Sequence, residues 1–411
     1  MILIRPAAIV LALTIAGSLG SGALGQRRSN RDWPAPTPPT LQPVTAESRA
    51  AAITEGVKLL LAKQEADEAS GAIALWPYEG VYRVRGEIPV GYRVGGTSIT
   101  CLALLQAPGL AEDADRQAAI GRSARFVVDA IKHPLMDPGY DGGYDVRGWG
   151  YTYGLKFLLA YRTALKVPDD LAVGVEDAIQ FYIHGIEQTE IPKAGGWNYA
   201  RPAGKEKVAP PSPFMTGPTL EALYEAHAAG YDVDAKVVSR ALDALDAART
   251  PSGSYVYSGS AGRGEPTPGS VGRMLASETA LYLAGRSDQT RLRGAIDAFL
   301  VHWPWLDQRR QKNGTHEGPY GVAPYYYYYA HLAAARAIEM LPAMERGEYR
   351  RRYAEVLFAT REEDGSWNDR VFPRSSAFGT SMAMLSLMAP EAKAPARWEE
   401  PAEPISKTKG E

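Results

Sequence analysis

Between residues 46 and 389 a two-helix unit recurs about six times, and the second helix of each unit is apolar or small nearly all the way round. Such a helix has no face to offer water and must be surrounded by other elements. These second helices are read at 95–107, 152–165, 214–230, 272–285, 325–341 and 377–389. The first helices, at 48–65, 112–132, 169–187, 233–248, 288–303 and 347–360, are apolar on one side only, as with Val237, Val238, Ala241, Leu242 and Leu245. Loops rich in glycine and aromatic residues join the two: 71–78, 139–151, 195–199, 252–257, 318–325 and 364–369. One-faced helices outside and apolar helices inside satisfy both patterns, and units that cannot bury their inner faces alone must stack. The expected fold is therefore all-α, an (α/α)6 toroid of about six helical hairpins. An open solenoid is the alternative, but it needs polar capping units, and the first inner helix is as apolar as the rest.

Outside the repeat the chain changes character. Residues 1–25 read as a signal peptide, with Arg5, an apolar stretch at 7–16 and the small-residue pattern Ala23-Leu24-Gly25. The apolar stretch is short for a bilayer span; an uncleaved anchor is the alternative, and no other stretch approaches a span. The mature protein is expected in the periplasm or outside the cell. Residues 26–45 form a proline-rich linker and 390–411, rich in Pro, Lys and Glu, a disordered tail. Across 411 residues the net charge is −2, which leaves no basic excess for a nucleic-acid backbone. The single cysteine, Cys101, lies in an apolar run and reads as a small buried hydrophobe.

Asp364-Gly365-Ser366-Trp367 followed by Phe378-Gly379-Thr380-Ser381, and Gly195-Gly196-Trp197-Asn198-Tyr199 followed by Thr216 to Leu223, resemble the repeats of the terpenoid cyclase/protein prenyltransferase superfamily. The resemblance covers about 46–389 and implies the toroid; one fold hosts many activities. The superfamily's functional patterns are missing. No D-x-D-D acid motif occurs, and the nearest run, Tyr231-Asp232-Val233-Asp234-Ala235, reads as a helix cap. The prenyltransferase zinc set is not apparent, since Ile99 stands two places before Cys101 and Phe378-Gly379 where a histidine is expected. The thioester motif of alpha-macroglobulins is absent. No metal or cofactor is expected.

By the same resemblance, a central cup opens where the loops enter the inner helices, rimmed by Trp149, Tyr151, Trp197, Tyr199, Tyr255, Tyr320 and Trp367. An aromatic cup suits an apolar or carbohydrate ligand; the strong alternative is that each ring wedges between neighbouring hairpins as a repeat staple. Weak catalytic candidates are His316 and Glu317 in the fifth loop, Glu221 and Glu278 on inner helices, and Asp364. Arg273 is the expected partner of Glu278, and His331 a satisfied core histidine. Of Tyr325–Tyr329, one or two rings should face the centre. The reading that follows is a non-catalytic binding or scaffold protein for an apolar small molecule, glycan or peptide of the cell envelope. The alternative is an enzyme on the same ring, cyclase-like or glycan-cleaving, and a glycosidase would need two facing carboxylates.

Overall fold

The computed structural model describes residues 35–67, 70–140, 146–199, 206–261 and 265–400. The expected signal peptide, residues 26–34 of the linker and residues 401–411 lie outside them. Six outer helices alternate with six inner ones along the chain. The outer set is α1 (Ala46–Ala62), α3 (Ala114–Asp129), α5 (Asp169–Gln188), α7 (Ala235–Ala248), α9 (Gln289–Asp307) and α11 (Ala343–Phe358). The inner set is α2 (Val90–Gln106), α4 (Arg147–Ala164), α6 (Pro213–Ala228), α8 (Thr267–Leu283), α10 (Tyr327–Glu339) and α12 (Ser376–Leu387).

Burial separates the layers as the pattern requires. In α12, 11 of 12 residues are buried, whereas α11 buries only three of 16. Each inner helix packs on the next, and α12 packs on α2, so the ring closes. The seam is bonded: Ser381 Oγ donates to Thr100 Oγ1 at 3.0 Å, and Gln106 Nε2 donates to the Met388 carbonyl at 3.0 Å. Outside the seam, Arg374 pairs with Glu65 and Arg361 with Glu55, each at 2.5 Å. An open solenoid has no such contacts.

Three tryptophans fasten the loops in the same way. The indole N–H of Trp76, Trp197 and Trp367 donates to a carbonyl near the end of the preceding outer helix: Leu60, Ile186 and Leu357, at 2.7, 2.8 and 3.1 Å. The backbone N–H of each donates to a threonine Oγ1 on the following inner helix: Thr97, Thr216 and Thr380, at 3.0, 3.1 and 3.1 Å. One buried ring thus bonds both helices of its unit. The neighbouring glycine leaves room for the loop: a Cβ on Gly379 would stand 2.3 Å from the Trp367 carbonyl oxygen.

Inner helices α2, α4 and α8 begin five residues before the positions read from sequence. Glycine there marks close helix contact rather than a loop. A Cβ on Gly91, inside α2, would lie 2.5 Å from the Val146 carbonyl oxygen, and one on Gly150, inside α4, would lie 3.2 Å from Gly91 Cα. Trp149 and Tyr151 are consequently helical. Gly230 and Gly285 do end their helices, with φ of 90° and 71° and the paired back-bonds of a Schellman turn. Asp234 caps α7 through Lys236 N–H at 2.8 Å. A short hairpin, β1 (Glu65–Ala66) with β2 (Ile73–Leu75), sits in the first loop.

Residues 390–400, expected to be part of a disordered tail, are laid on the ring. Trp398 N–H donates to the Leu283 carbonyl at 3.1 Å, and its ring meets Tyr224 and His227 at 5.7 and 4.9 Å. The segment's polar composition hid this, because one apolar anchor suffices to dock it. It covers the C-terminal ends of α6 and α8. The cavity lies at the opposite end.

Candidate functional site

The N-terminal turns of the inner helices converge on a cavity of about 230 Å3, where a single water needs only ~10–15 Å3. Tyr92 of α2, Trp149 of α4, Phe214 of α6 and Phe378 of α12, all in first turns, line it, with Tyr78 from the first loop. The rings hold one another. Trp149 stacks on Tyr153 at 5.4 Å and takes Phe214 edge-on at 5.4 Å. Tyr78 meets Tyr92 edge-on at 5.1 Å and Phe378 at 4.7 Å. Such arrangements favour the offset and edge geometries of the ring quadrupoles.

Opposite these rings the wall is hydrogen-bonded. The hydroxyl of Tyr199 bonds those of Tyr257 and, at 2.9 Å, Tyr325. Tyr325 bonds His316 Nε2 at 3.0 Å, and His316 Nδ1 faces the Gly321 carbonyl at 3.1 Å. A carbonyl only accepts, so Nδ1 carries the proton and Nε2 accepts from Tyr325. Although more than a third of His316 is open, surrounding protein disfavours the imidazolium. Burial lowers its pKa, the Gly321 bond opposes this, and Arg273 lowers it further.

Of the residues expected at the rim, Trp149 and Tyr199 line the cavity. The other five do not. Trp197 and Trp367 are the buried fasteners described above. Tyr151 is fully buried with its hydroxyl on the Met136 carbonyl, because α4 starts early and turns it outward. Tyr255 is fully buried and donates to Glu278 at 2.7 Å. Tyr320 packs edge-on against Trp305 at 4.8 Å in a separate crevice that also holds Glu317.

Of the five chemical candidates, only His316 reaches the cavity. Glu278 is held by Arg249 at 2.9 Å, not by Arg273, which pairs with Glu265 at 3.1 Å. Glu221 and Glu225 share Lys156 and Arg336 between α4, α6 and α10. Glu317 pairs with Arg309 at 3.1 Å. Asp364 closes a turn on Ser366 N–H at 3.0 Å, and bonds from Ser366 hold its carboxyl below the usual range. Each charge is used where it stands. Among the described residues no carboxylate lines the cavity, and no three of His, Cys, Asp or Glu converge as a metal set would.

The tyrosine run divides its work: Tyr325 lines the cavity, while Tyr328 bonds the Thr360 carbonyl at 3.3 Å and Tyr329 the Phe214 carbonyl at 3.1 Å. His331 is fully buried, bonds the Tyr327 carbonyl at 2.8 Å, and is lowered to about 4 by burial.

Two charged neighbours escaped the sequence reading. Arg370 lines the cavity although only 3% exposed, and neither its Nε nor its Nη1 has a hydrogen-bond partner. Asp369 is fully buried behind it, with no well-formed bond to either carboxyl oxygen. Burial raises Asp369 to about 7 against the pull of Arg370, the Tyr328 amide and Arg310. An unfolded Asp titrates near ~3.9. Between that value and about 7 the folded chain keeps a proton that the unfolded chain has lost. Stability therefore falls as pH rises through this window and levels off above it. Asp369→Asn is expected to melt higher than the native chain at pH 8 and equally at pH 4. Parallel melting curves at both pH values, with no gain at pH 8, would contradict this placement.

Similar folds settle the architecture. An unsaturated glucuronyl hydrolase from Streptococcus agalactiae superposes with a TM-score of 0.53 at 11% identity, over 88% of this chain and 99% of the other. A family GH76 α-mannanase from Bacteroides thetaiotaomicron gives 0.52 at 12%, over 82% and 95%. A type II terpene cyclase from Scytonema gives 0.50 at 13%, over 84% and 99%. The fold is the α/α toroid. It fits the terpenoid cyclase/prenyltransferase superfamily resembled by the repeats, and at these identities the likeness is of fold alone. No family model and no curated protein matches the sequence. Within this toroid the sequence signal for the cup was an aromatic residue in the first turn of an inner helix. Arg370 gave none, because its orphan state exists only in three dimensions.

Proposed function

We propose that this toroid is a binding protein that receives an apolar small molecule in its central cup without turning it over, and that it works in the cell envelope after export. The observation that carries the reading is a cavity walled by aromatic rings with no carboxylate among its described lining residues. Rings contribute large buried area and shape. Glycoside cleavage requires two carboxylates on either side of the bond, and cyclisation of the squalene–hopene kind starts from an aspartic acid. The signal-like N-terminus supports export. No described helix is long and apolar enough to cross a membrane.

The enzymatic alternative draws on one observation: the Nε2 of a neutral His316 beside Tyr325 has the form of a general base. Binding of N-phenyl-1-naphthylamine, followed by its fluorescence, tests the two readings. The native chain is expected to bind it in the micromolar range, and Trp149→Ala to weaken binding about 10-fold, the loss of part of one ring's burial. Equal binding by both chains, or saturation by a manno-oligosaccharide instead, would overturn the proposal.

A further inference from the structure

Arg370 is the one guanidinium in the cavity wall among the described residues; it lies 5.7 Å from the Phe372 ring, and its Nε and Nη1 have no hydrogen-bond partner. A buried charge is ordinarily paired or hydrogen-bonded, because leaving water is costly. Every other arginine close to the cup is engaged: Arg83 with Glu79 at 2.7 Å and Arg273 with Glu265 at 3.1 Å. Asp369 is the obvious counter-charge and feels the pull of Arg370, yet neither of its carboxyl oxygens is hydrogen-bonded, and burial favours its neutral form. The first turns of α2, α4, α6 and α12 face the same space. The dipoles of these helix ends add positive potential. The loop that carries His316 is tied to this corner, since Gln311 N–H donates to the Asp369 carbonyl at 3.0 Å. The cup is thus apolar over most of its wall and positive at one place.

We propose that Arg370 is an anion seat and that the ligand of the cup is an amphipathic organic monoanion, its apolar body on Trp149, Phe214 and Phe378 and its acid group on Arg370. This rests on the binding function proposed above and specifies its ligand class. A guanidinium presents a planar fork that takes two oxygens of one acid group. A single cation in the wall matches a single negative charge; a diphosphate would call for several. Ligand binding then supplies acceptors for the Nε and Nη1 donors that the folded chain leaves unbonded.

Two dyes with one body separate the claims: N-phenyl-1-naphthylamine, which is uncharged, and 8-anilinonaphthalene-1-sulfonate, which adds one anionic group. The native chain is expected to bind the sulfonate about 10-fold or more tightly than the neutral dye, the scale of a charge-assisted bond. Arg370→Gln should abolish that preference, bringing the ratio of the two affinities to about one; Arg370→Lys should retain part of it. A preference that is absent, or that survives in Arg370→Gln, overturns the anion seat while leaving the apolar cup standing. Failure of the neutral dye to bind the native chain overturns the cup itself. Farnesoate and farnesyl diphosphate, each competing against the sulfonate, test the single charge: the diphosphate competing better would overturn the monoanion. Unliganded Arg370→Gln should melt close to the native chain, because no hydrogen bond from Nε or Nη1 is lost. A large drop would assign Arg370 a structural role and end the proposal.

Discussion

Trp367→Ala is expected to destabilise the toroid by ~3–5 kcal/mol, the upper range for deleting a buried aromatic ring. The side chain is fully buried and lies beside the seam where the sixth unit meets the first. The change opens a cavity beneath Phe358, whose ring lies 6.2 Å away, and strips the Leu357 carbonyl of its indole donor. It also removes the surface on which the Arg361 guanidinium rests, 5.1 Å from the ring. Because the ring of helices closes only once, weakening that unit exposes both neighbouring apolar faces. Urea unfolding at constant m-value checks this; a shift below ~1 kcal/mol would mean that the loop is not a fastener. Trp197→Ala should behave alike, since the same pair of bonds recurs there.

The second large effect is expected at Glu278. Its carboxylate is buried and accepts from Arg249 Nε at 2.9 Å, from the Tyr255 hydroxyl at 2.7 Å and from Ser287. Removing one member of a buried pair leaves the other uncompensated, at a cost of ~3–5 kcal/mol. Glu278→Ala should therefore unfold far more readily than the native chain, yet bind N-phenyl-1-naphthylamine with native affinity wherever it is still folded. The cup does not include Glu278, so a binding defect without a stability defect would contradict the structure.

These two residues also mark how far sequence reasoning reached. Glu278 stood out correctly as an acidic residue on an apolar helix, and the reason is sound: such a group must be paired or solvated. Its partner was misassigned to Arg273, five residues away on the same helix, because proximity in sequence is visible and the approach of Arg249 from the end of α7 is not. The tryptophans followed the same course. Their recurrence was legible, but whether an indole points to the centre or back to its own outer helix depends on where the loop turns. Trp149 and Tyr151 stand two residues apart on α4, and only Trp149 faces the cavity. A two-residue step turns a helix by about 200°, so a small error in helix start reverses the prediction.

Layering, the number of units and closure into a ring were written in the chain, because hydrophobic pattern is local and each helix declares on its own how much of its surface must be dry. The cup was not. It is assembled from residues as distant as Tyr78 and Phe378, 300 positions apart, and from an arginine whose Nε and Nη1 find no hydrogen-bond acceptor. Which side chains meet at the centre depends on the rotation and register of six helices at once, and these are decided by packing of the whole ring rather than by any segment of it.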